Sequence, residues 1–189
     1  MADKRPSDLN YSRATVHLES GQISTEQIQC TDLDDCMGGI ARGFKVLEDH
    51  PTEEAYSPES VLLMTLGVLS GTQFMTGLRT YFLAYSPLKR SRSGRPSAMW
   101  SAGSGKFGTK LRFLGIDEFL FFGRAEAPSL LHIQRVGEGD DAVTEMTLED
   151  ATFLSGQTVN EKVQTLKEKF GGDAHFAVIG PAGENYQDV

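Results

Sequence analysis

The chain has 189 residues and a mass of 20.7 kDa, and 39% of its residues are hydrophobic and 23% charged. These values are typical of one globular domain and exclude collagens, coiled coils and intrinsically disordered chains. The formal net charge of −8 comes from 18 Lys and Arg against 26 Asp and Glu, which argues against a nucleic-acid-binding protein.

The charge is unevenly distributed along the chain. No acidic residue occurs between Ser60 and Ile116, and the rest of the chain holds ten basic and 26 acidic residues. The acid-free tract contains eight basic residues: Arg79, Lys89, Arg90, Arg92, Arg95, Lys106, Lys110 and Arg112. The run Lys89–Arg95 is short and lacks aromatic residues, so we expect a solvated loop there. Arg79 differs because it begins an apolar strand. An arginine there more often pairs with a carboxylate, but the lack of nearby acids leaves an anionic ligand as the alternative.

No segment indicates secretion or a membrane. The N-terminal charges are not followed by an apolar run, so no signal peptide is predicted. The longest uncharged stretch, Ser60–Leu78, has nineteen residues, but nine of them are Ser, Thr, Gln or Gly, which disfavours a membrane span. Cys30 and Cys36 are too few for a disulfide framework or a four-thiolate cluster. We therefore expect a cytoplasmic protein without an iron–sulfur cluster in this chain.

Residues 1–10 are polar and predicted to form a flexible N-terminus, with residues 11–189 forming a single domain. The alternation of apolar and polar residues over Ala14–Glu19 predicts a strand, and a second strand is expected over Gln22–Ile28. A helix comes next, predicted from the helical spacing of four apolar residues: Met37, Ile40, Phe44 and Leu47.

The middle of the chain has two apolar segments with strand character, Val61–Leu66 and Arg79–Tyr85. Ser, Gly, Pro and Arg dominate Ser86–Ser104, which is predicted to be a long loop. A helix should follow it, with Phe107, Leu111 and Leu114 on one face and its end at Gly115.

The last third of the chain carries the clearest helix, Val159–Phe170, with a capping box formed by Thr158 and Glu161. Further strands are predicted at Phe119–Phe122, Ser129–Val136, Val143–Thr147 and Ala174–Ile179, followed by a loop at Gly180-Pro-Ala-Gly. About eight strands and three helices, grouped in blocks without strict alternation, predict an α+β fold.

The segment Gly103–Gly108 matches G-x-G-x-x-G at the start of a predicted helix. Such glycines let main-chain amides approach a phosphate, and the helix start adds partial positive charge. The residues before it lack a strand pattern, which disfavours a dinucleotide fold, and Phe107 stands where a Walker loop needs Ser or Thr. A flexible turn and a site for a phosphate-bearing small ligand both remain open. No candidate nucleophile, base or metal set for catalysis is evident.

A series of segments arrives in an order that identifies a family. They are Leu18-Glu-Ser-Gly-Gln-Ile-Ser, Gly38-Gly39, Tyr56-Ser-Pro-Glu-Ser-Val-Leu-Leu-Met, Thr76-Gly-Leu-Arg-Thr, Tyr85-Ser-Pro-Leu, Gly103-Ser-Gly-Lys-Phe-Gly and Ile179-Gly-Pro-Ala-Gly-Glu-Asn. Together, from about Tyr11 to Asn185, they resemble the N-terminal domain of the tungsten-dependent aldehyde:ferredoxin oxidoreductases.

The resemblance implies an α+β domain of two β-sheets with a few packed helices, which forms the base for a tungsten- or molybdenum-bis-pterin cofactor. In that family a magnesium ion bridges the two pterin phosphates. The metal centre oxidises an aldehyde to a carboxylic acid, and electrons leave through an iron–sulfur cluster to ferredoxin.

The resemblance also implies cofactor-binding residues in this chain. Arg79 matches an arginine near the pterin phosphates, and Gly103, Ser104 and Gly105 lie in the cofactor-facing loop. Ala182, followed by Gly183, matches the alanine whose main-chain carbonyl helps to hold magnesium. Two departures occur, because Ala102 stands where the family has a magnesium-binding asparagine and Ser104 replaces a glycine. Magnesium binding is therefore in question, and no catalytic residue is expected in this chain.

Two functions are compatible with these residues. In the first, the chain is a subunit or split fragment that holds the pterin and needs a second chain with the cluster and the catalytic groups. The positive charges of Lys89–Arg95 would then partly replace the missing magnesium ligand. In the alternative, a paralogue has lost the cofactor and acts as an interaction, assembly or regulatory module, with a homodimer or a partner covering its exposed apolar face.

Overall fold

Residues 10–29, 37–74 and 77–185 are described by a computed structural model of the chain, and within them eight strands form two sheets. The strands are β1 (Asn10–His17), β2 (Gln22–Gln29), β3 (Leu62–Leu66), β4 (Thr80–Arg90), β5 (Pro96–Gly103), β6 (Glu118–Phe122), β7 (Ser129–Val136) and β8 (Val143–Asp150). The larger sheet has the order β2-β1-β6-β3-β4-β5, and β7 pairs with β8 in a separate hairpin. Only β1 and β6 pair in parallel, and the other neighbours are antiparallel.

Four α-helices occur in the described residues: α1 (Gly39–Asp49), α2 (Lys106–Phe113), α3 (Val159–Phe170) and α4 (Pro181–Asn185). None of these helices is long and apolar enough to span a membrane. The α+β architecture with two sheets and a few packed helices confirms the predicted fold class.

Helix α1 covers one face of the large sheet. Its buried cluster consists of Val46, Leu47, Val61, Leu63, Leu83 and Leu120. The helix lies close to β4, because a Cβ added to Gly43 would stand 2.4 Å and 2.5 Å from the two methyl carbons of Leu83. Only glycine therefore allows this distance between helix and strand.

The other face of the large sheet is covered by α2 and by the β7–β8 hairpin. Its buried cluster is formed by Ala14, Val16, Met64, Leu66, Leu111, Ile116 and Phe119, and four half-buried residues of the hairpin pack against it: Leu131, Ile133, Met146 and Leu148. Helix α3 packs against the hairpin through Leu130, Leu154, Leu166 and Phe170. The molecule is therefore layered as helix, sheet, hairpin and helix.

A buried ion cluster joins α1 to the sheet. Glu118 at the start of β6 is fully buried, and its carboxylate accepts hydrogen bonds from Arg42 of α1 and Arg13 of β1. The sequence pattern does not predict this cluster, since Glu118 precedes the apolar run and has the pattern of an exposed strand end.

Most predicted elements are confirmed, including α3 with its capping box between Thr158 and Glu161. The loop predicted over Ser86–Ser104 is wrong, because β4 continues to Arg90 and β5 follows a turn that contains Gly94 with a φ of +84°. β5 is an edge strand with mostly exposed side chains, so it lacks the apolar alternation by which strands are recognised.

The strand predicted over Ala174–Ile179 is also wrong. Within the described residues this segment makes no sheet pairing, although Phe176 and Val178 pack against the α3 cluster. The loop predicted at Gly180-Pro-Ala-Gly contains the start of α4, in which Pro181 is the first helical residue, a position that proline favours. Of the predicted N-terminal segment, residues 1–9 lie outside the described residues and Asn10 begins β1.

Candidate functional site

The β4–β5 hairpin brings Arg79 next to the glycine-rich loop. Thr80 is paired with Gly103 across the hairpin, so Arg79 and Ser104, one residue beyond each strand end, lie at the same end. Arg79, Gly103 and Ser104 are all exposed. The structure thus assembles four of the predicted site residues, Arg79 and residues 103–105, while their binding role stays a prediction.

The start of α2 lies in this group of residues. Gly105, with a φ of +125°, precedes the helix, no side chain caps the helix start, and the first turn contains no acidic residue. A Cβ added to Gly103 or Gly105 would meet no atom within 4 Å. The space beside Gly103 and Gly105 is therefore open, and the helix dipole favours a negative charge at the start of α2.

Gly108, the last glycine of the motif, has a packing role. A Cβ at this position would lie 2.5 Å from Thr80 Oγ1 and 3.0 Å from Leu66 Cδ2. The absence of a side chain at Gly108 therefore allows α2 to lie directly against the start of β4 and the end of β3. This contact fixes the helix start relative to Arg79.

The expectation that no strand precedes the G-x-G-x-x-G motif is wrong. A strand, β5, does precede the G-x-G-x-x-G motif. However, β5, α2 and β6 do not form a βαβ unit, because the pairings of β3, β4, β5 and β6 make β6 antiparallel to β5. The fold therefore lacks the parallel crossover in which that motif binds a dinucleotide.

The basic residues of the acid-free tract fall into two groups. Arg90 pairs with Glu54 at 3.2 Å, Arg95 with Glu53 at 2.7 Å, and Arg112 with Asp117. Among the described residues, the other five make no ion pair: Arg79, Lys106 and Lys110 around the start of α2, and Lys89 and Arg92 at the turn of the hairpin. Three unpaired positive charges thus lie around the start of α2.

The expectation that Lys89–Arg95 stands in for a magnesium ligand is wrong on geometry. This run lies at the turn of the β4–β5 hairpin, where Arg90 is paired with Pro96, whereas Arg79 lies beyond the opposite end. Ten residues of strand separate the two ends, which corresponds to about 30 Å. Lys106, the first residue of α2, is the basic residue that follows the loop directly.

Ala182 and Gly183 lie on α4, which is bound to α3. Lys162 of α3 is 3% exposed, and its Nζ donates to the Ile179 carbonyl at 2.9 Å and to the Glu184 carboxylate. Glu184 also accepts from the Gly156 amide at 3.1 Å. The Lys162 hydrogen bond, followed by that of Gly156, lowers the pKa of Glu184 below its ordinary value. A contact between Ala182 and the residues around Arg79 stays a prediction.

Donors for a metal ion are scarce in this region. Ala102 lies on β5 opposite Tyr81 and offers no side-chain oxygen. In the part of the chain that the structure describes, no group of three or more His, Cys, Asp or Glu is arranged to hold a metal ion.

Sequence reasoning missed three residues that support this site. Ser70 donates its hydroxyl proton to the Arg79 carbonyl at 3.1 Å, and Arg112 contacts the turn that contains Ser70. Asp117 pairs with Arg112. One signal was available, because Asp117 is the first acid after the acid-free tract.

Comparison with known proteins identifies similar chains. A sequence model described as "Aldehyde ferredoxin oxidoreductase, N-terminal domain" matches residues 13–188. The tungsten-containing aldehyde ferredoxin oxidoreductase of Pyrococcus furiosus is 32% identical over 173 residues, covering 90% of this chain and 26% of the relative. The enzyme of the same name from Pyrococcus abyssi is 34% identical over 174 residues, with the same two shares.

A solved structure is similar over nearly the whole chain. It is the active site complex BamBC of benzoyl coenzyme A reductase in complex with 1,5-dienoyl-CoA, with a TM-score of 0.75 and 27% identity. The match covers 94% of this chain and 26% of the solved chain. The chain thus spans about a quarter of the length of the proteins it matches.

Proposed function

Because the chain belongs to the aldehyde ferredoxin oxidoreductase N-terminal domain family, we propose that it is the pterin-binding base of a tungsten- or molybdenum-dependent aldehyde oxidoreductase. The observation that carries this proposal is the position of Arg79 beside the open, glycine-rich segment 103–105 at the start of α2. The matched relatives are named as tungsten-containing enzymes, which supports tungsten as the metal.

The residues around Arg79 fit the phosphate end of a pterin. A phosphate needs hydrogen-bond donors and positive charge, and the Arg79 guanidinium provides both. Lys106 adds a second positive charge, and the uncapped start of α2 adds amide donors. Arg79 would hold the phosphate through its side chain, and residues 103–105 through their amides.

The residues do not fit a magnesium ion at the same place. Magnesium prefers six oxygen ligands, with carboxylates and phosphates foremost. Ala102, Ala182 and Gly183 have no side-chain oxygen and could supply main-chain carbonyls alone. We therefore propose that Arg79 and Lys106 balance the phosphate charge in this chain, so that phosphate binding does not depend on magnesium.

When bound, the metal bis-pterin group would supply the redox chemistry that converts an aldehyde to a carboxylic acid. This chain's own residues would bind and orient the phosphate end and would contribute no catalytic side chain. The cluster and the catalytic acids would come from the part of the relatives that this chain does not match, on further domains or on a second chain.

An exposed apolar surface next to Arg79 supports a covering chain. Leu69, Phe74 and Leu78 precede Arg79 and are 46%, 67% and 37% exposed. They belong to one turn-rich segment, in which the Gly77 carbonyl accepts from the Gly71 amide at 3.3 Å. Grouped exposed apolar side chains are typical of a surface that another protein covers.

The proposal is tested on chain purified from its native host. Oxidation of the bound pterin should yield its characteristic fluorescence, and Arg79→Gln should lower that signal strongly. Arg95→Gln is the matched control, because Arg95 is equally basic and exposed but lies at the far end of the hairpin. Absence of pterin fluorescence from the wild-type complex would contradict the proposal and favour the non-catalytic interaction module.

A further inference from the structure

Arg112 lies at the centre of a clamp that holds the turn before Arg79. Its Nη2 donates to the Gly67 carbonyl at 3.0 Å, its Nε donates to the Ser70 carbonyl at 3.2 Å, and its Nη1 pairs with the Asp117 carboxylate. All three guanidinium nitrogens are thus engaged. An arginine with three fixed partners acts as a structural clamp.

Asp117 anchors the clamp to the large sheet. Its Oδ2 accepts from the Ser12 amide at 2.8 Å, and its main-chain amide donates to the Ser12 carbonyl at 2.9 Å. The Leu66 amide at the end of β3 donates to the Asp117 carbonyl, also at 2.9 Å. Asp117 is 8% exposed, so water competes little with these bonds.

The clamped turn is packed tightly against the arginine stem. The Gly67 carbonyl accepts both from Arg112 and from the Ser70 amide, which closes the turn. A Cβ added to Gly71, whose φ is +77°, would lie 3.0 Å from Arg112 Cβ and Cγ. The turn and the arginine are therefore in direct packing contact as well as hydrogen-bonded.

Ser70 connects the clamped turn to the main chain of Arg79 through a hydrogen bond. The Ser70 residue is 3% exposed, and its hydroxyl donates to the Arg79 carbonyl at 3.1 Å. Arg79 itself is exposed and has no ion-pair partner among the described residues. The main chain of Arg79 is thus held by the hydrogen bond from Ser70, while its exposed side chain can contact a ligand.

We infer that Arg112, anchored by Asp117, is a positioning residue that acts through Ser70 to fix Arg79 for anion binding. The inference rests on the proposed function, because it assigns Arg79 the role of an anion ligand. It gives two basic residues of the acid-free tract different roles, since Arg79 binds the anion whereas Arg112 positions Arg79.

The first test needs no ligand. In hydrogen–deuterium exchange on the unliganded chain, Ser70→Ala and Arg112→Lys should speed exchange in peptides that cover residues 67–80 and leave core peptides of β1 and β6 unchanged. Ser91→Ala and Arg95→Lys are the matched controls, since both residues lie at the hairpin turn. Unchanged exchange over residues 67–80 would overturn the inference whatever the protein binds.

The second test uses pyrophosphate as the probe, with Kd measured by calorimetry on the full chain. Loss of one neutral hydrogen bond should weaken binding about 3- to 10-fold in Ser70→Ala, and Arg112→Lys should act similarly although it keeps the charge. In an Arg79→Lys background, Ser70→Ala should cause little further loss, because the effect passes through Arg79.

The outcomes distinguish the positioning role of Arg112 and Ser70 from the proposed phosphate site at Arg79. An equal loss from Ser70→Ala in the wild-type and the Arg79→Lys backgrounds would overturn the positioning role alone. Weaker binding in Arg79→Lys with unchanged binding in both Ser70→Ala and Arg112→Lys would do the same. A wild-type chain that does not bind pyrophosphate would overturn the proposed phosphate site, and the inference with it.

Discussion

Glu118 and Arg42 form a two-fold hydrogen-bonded ion pair in the interior of the protein. Arg42 Nη2 donates to Glu118 Oε1 at 3.1 Å, and Arg42 Nε donates to Oε2 at 3.2 Å. Glu118 is fully buried and Arg42 is 6% exposed. Arg13 adds a third donor to Oε1 at 2.8 Å. The pair ties α1 to β6 and thereby sets the position of the helix on the sheet.

Glu118→Gln should destabilise the fold by about 3 kcal/mol, because the neutral amide removes the buried negative charge that Arg42 and Arg13 share. Urea unfolding measures this free energy. The matched control is Glu26→Gln, since Glu26 also contacts Arg13, at 3.4 Å, but its side chain is 56% exposed. The control should cost less than about 1 kcal/mol, and equal costs for the two variants would contradict the importance of the buried pair.

Gly43→Ala should destabilise the protein by about 1–3 kcal/mol although alanine is the better helix former. The added methyl group would overlap the methyl carbons of Leu83, which is 1% exposed and has no room to move. The change in Tm measures the effect. Gly172→Ala is the control, because a Cβ there meets nothing within 4 Å. A higher Tm for Gly43→Ala would contradict the close packing of α1.

Lys162→Met should release the segment that contains Ala182. The buried amine donates to Ile179 and to Glu184, and methionine fills the space of the stem without replacing these bonds. Exchange of amides over residues 179–185 should rise about tenfold. Lys169→Met is the control, since Lys169 is 42% exposed and pairs with Glu149. Unchanged exchange over residues 179–185 would show that α4 is held by other contacts.

The same ion pair predicts a pH dependence. The pKa of Glu184 is lowered in the folded chain, mainly by the hydrogen bond from Lys162. A carboxylate with a lowered folded-state pKa stabilises the fold above its unfolded pKa, and this contribution disappears as the pH falls through the folded value. The stability difference between wild type and Glu184→Gln should therefore be constant at neutral pH and shrink on acidification below the ordinary glutamate range. A difference that grows with acid would contradict this sign.

A partner is expected to accompany the chain. Pull-down from the native host should recover a large cysteine-bearing chain that supplies the iron–sulfur cluster. Adding a charge to the exposed apolar segment, as in Phe74→Glu, should abolish recovery, whereas Tyr56→Glu should not, because Tyr56 is equally exposed but lies in the turn between α1 and β3. A stable homodimer without cofactor would support the interaction module.

The sequence predicted the elements whose residues alternate between core and solvent. β1, α1, α2 and α3 were recognisable from the spacing of their apolar residues, and each contributes to a buried cluster. The face predicted for α1 is wrong in part, because Met37 and Phe44 are exposed whereas Val46 and Leu47 are buried. β5 was not predicted, because its edge position leaves Met99 and Trp100 46% and 50% exposed and the strand shows no alternation of apolar and polar residues. The buried Glu118 cluster was not predicted either, because partners such as Arg13 and Glu118 are 105 residues apart in sequence.

The site was predicted in part for a similar reason. Arg79 and Gly103–Gly105 are marked by local residue types, a lone arginine before a strand and a glycine-rich turn. The residues that support them, Ser70 and Arg112, are not marked by local residue types, because they act through main-chain carbonyl oxygens. Such contacts are set by the tertiary arrangement of turns and leave no signature in residue spacing.

Metal analysis of the complex purified from its native host tests most directly whether this chain carries a metal bis-pterin group. We expect tungsten or molybdenum that co-elutes with the chain, two pterins per metal, and a strong loss of both in Arg79→Gln but not in Arg95→Gln. A purified wild-type complex that contains neither metal nor pterin would contradict the claim.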